Sequence, residues 1–105
     1  MIHILKPCEQ ELRDFPADVK ADLADALTQL EEGDHLSMPL SRPMPGIGKG
    51  VHELRFRDRA GVFRVIYFLA GADGVFLLHA FMKKSEGTPR QNIETARRRL
   101  REIQS

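Results

Sequence analysis

Apolar residues recur along this chain with two different periods, and the changes between them divide it into elements. Val19, Leu23, Leu27 and Leu30 fall on one stripe of a 3.6-residue period and predict a helix from Pro16 to Glu32. Pro16 suits a first helical position and Gly33 a stop, while Asp18, Asp22 and Asp25 read as solvent-facing. From Val51 to Tyr67 the period shortens to two. The stretch VHELRFRDRAGVFRVIY predicts a β-hairpin that reverses at Asp58-Arg59-Ala60-Gly61. Alternation puts Leu54 and Phe56 on one face of it and Glu53, Arg55 and Arg57 on the other.

The remaining elements follow the same logic. Met1 to Leu5 predicts a first or edge strand ended by Pro7, and Glu9 to Asp14 one or two helical turns at most. Ser37 to Gly50 holds three prolines and three glycines and is expected to be irregular. Val75 to Met82 is apolar on both faces, which predicts a strand central in the sheet. Thr88-Pro89-Arg90-Gln91 matches a helix start, with Thr88 as cap and Pro89 first. Ile93, Ala96, Leu100 and Ile103 then form the apolar stripe of a last helix, whose other faces carry Arg90, Arg97, Arg98, Arg99 and Arg101. The predicted order is β-α-β-β-β-α. That is an α+β fold with a mainly antiparallel sheet of about four strands and helices packed against it.

With 105 residues the chain is long enough for one core, so a single domain over 1–105 is expected. One cysteine, Cys8, excludes an intrachain disulfide and a multi-cysteine zinc site. No apolar run approaches a membrane span, and the opening MIHILKPCEQ is too short and too soon polar for a secretory signal. A cytoplasmic location and no membrane partner are the expectation.

The small net charge of +1 hides a division. Residues 1–48 carry four Lys/Arg against nine Asp/Glu, and residues 49–105 carry twelve against six. A basic half attracts phosphate through its local potential, whatever the total charge. The cations sit on strands as well as on the last helix. Arg64, flanked by Phe63, Val65, Ile66, Tyr67 and Phe68, is expected on a surface that water or a ligand reaches, because an unpaired buried charge is costly. Arg55, Arg57 and Arg64 are therefore expected to project from one sheet face.

Other chemistries find less support. His3, His35, His52 and His79 lack paired spacing, so no metal site is expected, and no cofactor motif is present. Gly46-Ile47-Gly48-Lys49-Gly50 lacks the Walker spacing and precedes a strand, which leaves Lys49 as a possible extra charge beside the hairpin. A Ser-His-Asp triad has no GxSxG anchor. Arginines at alternate strand positions suit a different task. They bind phosphate bidentately and stabilise the charge that builds on phosphorus under attack by a ribose 2′-hydroxyl. That attack also wants a base, for which Glu53 and His79 are the candidates. His79 has a plainer reading as a hydrogen-bonded core histidine.

The run ELRFRDRAGVFRVIYF, followed by LLHAFMKKSEGTP and an arginine-rich helix, resembles the phage-derived Gp49-like (HigB-type) branch of the RelE/ParE toxin superfamily. PMPGIGKGVHELR resembles the same branch, so the likeness covers about the whole chain. The resemblance implies a toxin of a type II toxin–antitoxin pair with a RelE/ParE-like fold. RelE-like members cleave mRNA on the ribosome, and ParE-like members poison gyrase. It also implies a helix-turn-helix, HigA-like antitoxin as partner.

Residue by residue, the likeness carries the family's basic strand positions onto Arg55 and Arg57, its next arginine onto Arg64, and the basic residue after the last strand onto Lys83 or Lys84. Arg55, Arg64, Lys84, Glu53 and His79 are thus the catalytic candidates, with Lys49, Arg57, Lys83 and Arg90 as phosphate-binding candidates. The chain departs from the RelE pattern in having Glu53 where a lysine is frequent and no tyrosine near the C-terminal segment; its one tyrosine, Tyr67, is on the middle strand. Three functions stay open: a ribosome-dependent mRNA endonuclease, a non-enzymatic gyrase inhibitor, and an inactive phage-derived relative that binds only its antitoxin.

Overall fold

The computed structural model describes residues 1–83 and 87–104. Among these residues a five-stranded sheet runs β1-β5-β4-β3-β2, built from β1 (Ile2–Ile4), β2 (Ser41–Pro43), β3 (Val51–Asp58), β4 (Gly61–Leu69) and β5 (Val75–Lys83). Three helices accompany it: α1 (Lys6–Leu12), α2 (Ala17–Glu31) and α3 (Arg90–Gln104). The fold is α+β. The sheet is antiparallel apart from β1, which lies parallel to β5.

The hairpin forms where the alternation put it. Asp58 faces Gly61 across a two-residue loop, and the Asp58 carboxylate accepts the Ala60 N–H at 2.7 Å. Gly61 has φ of +148°, and a side chain there would meet the Lys83 carbonyl oxygen at 2.9 Å, so only glycine lets β4 leave the turn beside β5.

The two sheet faces bury different partners. One face presents Leu54, Phe56, Phe63, Val65, Tyr67 and Leu77 to Cys8 of α1 and to Val19, Leu23, Ala26 and Leu30 of α2. Fully burying a side chain such as Leu54, Val65 or Leu77 contributes roughly 1.5–3 kcal/mol relative to leaving it exposed. The Tyr67 hydroxyl, also buried here, meets the Ser41 hydroxyl at 2.7 Å. On the other face Ile47, Val51, Ile66 and Leu78 pack on Ala96 and Leu100 of α3. Toward the hairpin turn the same face carries Arg55, Arg57, Arg64 and Lys83 among Val62 and Phe81.

Several expectations need correction. The proline-rich connector contains β2, because a three-residue edge strand can carry Pro43 at its end without losing a central ladder bond. The first helix starts at Lys6 with Pro7 in its first turn, where a missing N–H costs nothing. The centre of the sheet is β4; β5 is an inner strand only where β1 covers it, from Val75 to Leu77. Pro16 caps α2 from just outside it. Arg99, which lies off the apolar stripe of α3, is nevertheless buried. Among the described residues no helix is long and apolar enough to cross a membrane.

Candidate nucleic-acid interface

Directly paired residues of neighbouring antiparallel strands carry their side chains on the same face. The register therefore arranges the polar end of the α3-side face in rows. Nearest the turn, Arg57 of β3, Val62 of β4 and Lys83 of β5 lie in line. The next row is Arg55, Arg64 and Phe81. The third is Arg42 of β2, Glu53, Ile66 and His79. Strands lie about 4.8 Å apart, so Arg57 and Lys83 spring from points roughly 10 Å apart. The expectation that Arg55, Arg57 and Arg64 share a face holds.

The expectation that Arg64 meets solvent does not. Arg64 is 0% exposed, and its guanidinium donates to the Gly87 carbonyl at 2.8 Å and to the Thr88 hydroxyl at 3.3 Å. The segment leading into α3 passes over it. Glu53 is buried too. One of its carboxylate oxygens accepts from Nε of Arg55 at 2.8 Å, and the other accepts the Thr88 hydroxyl at 2.8 Å. Thr88 thus joins the charged pair on β3 to the buried arginine on β4. Glu53, the first candidate base, is enclosed between Arg55 and Thr88 and holds Arg55 in place.

His79 belongs to a second network. The β5 register shifts beside Ile66 and Tyr67, so Leu78 and His79 both fit opposite that step and the His79 ring turns toward α3. The amide nitrogen of Asn92 lies 2.8 Å from Nε2, which leaves Nδ1 to donate to the Glu11 carboxylate at 2.9 Å. Glu11 also accepts the Ala80 N–H at 3.1 Å and hydrogen bonds from both terminal guanidinium nitrogens of Arg99, at 2.9 and 3.1 Å. Burial by itself would raise the Glu11 pKa; the hydrogen bonds from His79, Arg99 and Ala80 outweigh it and hold the carboxyl at about 2. The His79 ring stacks on Phe81 and is 6% exposed. It ties β5 to α1 and α3, as the plainer reading of a hydrogen-bonded core histidine has it.

The other candidates divide by position. Arg57 and Lys83 are exposed at the turn end of the face. Arg90, also exposed, opens α3 two residues after Thr88 and stands at the margin. Lys49 precedes the opposite end of β3, whose first residue Val51 is about 20 Å from Arg57 by strand rise, and lines a separate groove with Phe68, Phe76 and Ile103. It is not part of this patch. Lys84 lies outside the described residues.

Sequence reading missed Arg42. The proline-rich surroundings hid the strand that mounts it, although its pairing with Glu53 places it on the arginine face. Arg42, Arg55 and Arg57 line an open groove of ≈ 470 Å³ together with Met38, Pro39 and Leu40. Thr88, Asn92, Arg99 and Glu11 were missed as well, since no local pattern marks a contact between residues so far apart. Among the described residues no group of three His, Cys, Asp or Glu side chains is placed to hold a metal ion. The arrangement can neutralise and orient an anion, with strands as rigid mounts.

A family model described as phage derived protein Gp49-like (DUF891) matches residues 10–101. No curated protein matches the chain.

Proposed function

This chain belongs to the phage-derived Gp49-like family, and from that premise we propose that it is the toxin of a type II toxin–antitoxin pair, acting as a ribosome-dependent mRNA endonuclease. The observation that carries the reading is the set of Arg42, Arg55, Arg57 and Lys83 on one sheet face, beside the apolar stripe of α3. An RNA backbone lies across these rows with its phosphates on the guanidinium groups. The ribose 2′-hydroxyl attacks the adjacent phosphorus, the new O–P bond forms and the bond to the 5′-oxygen breaks, leaving a 2′,3′-cyclic phosphate and a 5′-hydroxyl that takes its proton from water. The arginines stabilise the charge that gathers on the phosphoryl oxygens. Arg55, already fixed by Glu53, meets that charge without reorganising. With Glu53 and His79 both engaged inside the protein, the face contributes position and charge, and the 2′-hydroxyl proton leaves to solvent or to a ribosomal group. A helix-turn-helix antitoxin with an acidic segment would cover the same face.

Induction in cells followed by mapping of RNA ends tests the proposal. Cleaved mRNA is expected with the natural chain, and loss of cleavage with Arg42, Arg55 and Arg57 all changed to Ala. Full toxicity of that folded triple variant would sink it.

The burial of both candidate bases favours a second reading, a non-enzymatic inhibitor of a target such as gyrase. RNA would then stay intact in arrested cells while DNA supercoiling changes. Induction with no growth defect would point to an inactive relative that retains only antitoxin binding.

A further inference from the structure

Building on the RNA reading, we infer that the groove between the Met38-Pro39-Leu40 segment and Arg42, Arg55 and Arg57 seats one unstacked base of a single-stranded RNA, with the flanking phosphates on the arginines. The backbone makes the segment a shelf. Ser41 N–H donates to the Ser37 carbonyl at 3.0 Å, and Arg55 N–H donates to the Leu40 carbonyl at 2.9 Å. The second bond extends the β2–β3 ladder past Ser41, so the shelf is pinned to the strand that carries Arg55 and Arg57.

A single exposed methionine on a protein surface needs no explanation. Met38, at 65% exposed, has a different setting: Pro39 and Leu40 adjoin it and three arginines line the same groove. Apolar side chains such as Met, Pro and Leu are those that slip against bases and displace them from a stack. Arginines beside them take the phosphates on either side and can lie flat on a base. The groove volume of ≈ 470 Å³ falls in the range of about 300–1,000 Å³ that holds a small ligand, which suits a nucleotide and is too small for a duplex. In a duplex the bases are paired and stacked, so a single strand supplies the free base. Arg42 and Arg55 lie in adjacent rows of the face, so one strand can occupy the groove and the proposed cleavage face together.

The test uses the purified full chain and a short fluorescent uridine oligonucleotide, with a second version lacking bases at its centre. Met38→Ser changes an exposed side chain and is expected to leave the melting midpoint unchanged. It should weaken binding of the intact strand by about three- to tenfold and leave the abasic strand unaffected. Arg42→Ala should weaken both strands. Equal loss on both strands with Met38→Ser, no loss on either, or no binding by the natural chain overturns the base seat. So does a glutamate- and leucine-rich peptide that displaces the RNA and itself loses affinity on Met38→Ser, because the groove would then serve an acidic peptide. The two proposals fail separately. Met38-dependent binding with uncut RNA in induced cells keeps the seat and removes the nuclease. Cleavage in cells with Met38-independent binding does the reverse.

Discussion

Arg55 and Arg64 face each other directly across the β3–β4 ladder, on the same side of the sheet, yet they do different work. Arg55 keeps 15% of its side chain exposed and is clamped by Glu53 at 2.8 Å. Arg64 has no exposed surface and holds the Gly87-Thr88 segment over the sheet. Two arginines with similar local sequence thus separate into one that can meet a ligand and one that anchors the start of α3.

Arg64→Ala should therefore act on stability first. Losing the buried guanidinium strands the Gly87 carbonyl and leaves a cavity, at an expected cost of about 2–4 kcal/mol in urea unfolding. Arg59→Ala, at an exposed position of the hairpin turn, should stay within about 0.5 kcal/mol of the natural chain. Equal stabilities would remove the anchoring role assigned to Arg64.

Glu53 and Thr88 should be energetically coupled. Their 2.8 Å hydrogen bond is part-buried and joins a charged pair, so a double-mutant cycle with Glu53→Gln and Thr88→Val should return about 1 kcal/mol or more. Additive effects would mean that the two residues act independently on α3.

The Glu11 network predicts an acid limb in the stability profile. The folded-state pKa is depressed to about 2 from an ordinary 4.5. The stabilisation is present above pH 4.5 and is lost as pH falls toward 2, because the unfolded chain takes up the proton first. Glu11→Gln should be less stable by about 1–3 kcal/mol at neutral pH and should show a flatter decline across that window. An unchanged acid limb in the variant would assign it to other carboxylates.

Cys8 should resist thiol reagents in the folded protein. Burial, and next the Glu11 charge, push its thiol up to about 12, and its side chain is fully enclosed. Labelling at pH 8 is expected only as fast as the chain opens. Rapid labelling under native conditions would show that α1 detaches from the sheet.

Arg42 and Arg57 should each contribute to RNA affinity. Changing either to Ala is expected to lower the slope of log affinity against log salt by about one. A salt dependence untouched by both changes would place the polyanion elsewhere.

Much of the fold was legible because its determinants are short-ranged. The hairpin follows from alternation over Val51 to Tyr67 and from Asp58 and Gly61 at the turn. The stripe through Val19, Leu23 and Leu30 likewise gives the face that α2 buries. What escaped has weak local signals. Strand β2 is three residues among prolines and exists because β3 offers an edge to pair with. Arg99 sits in a run of three arginines, and nothing in that run marks the one that turns inward to Glu11, 88 residues earlier.

The sequence by itself determined the α+β class, the hairpin and the shared face of Arg55, Arg57 and Arg64, since strand alternation is a local geometric rule. Only the tertiary structure decided which of those charges stay accessible. Burial depends on what passes overhead, and here that is the Gly87-Thr88 segment on Arg64 and Glu53, and α1 with α3 around His79. These contacts join residues 13 to 88 positions apart, beyond the reach of any periodicity in the chain.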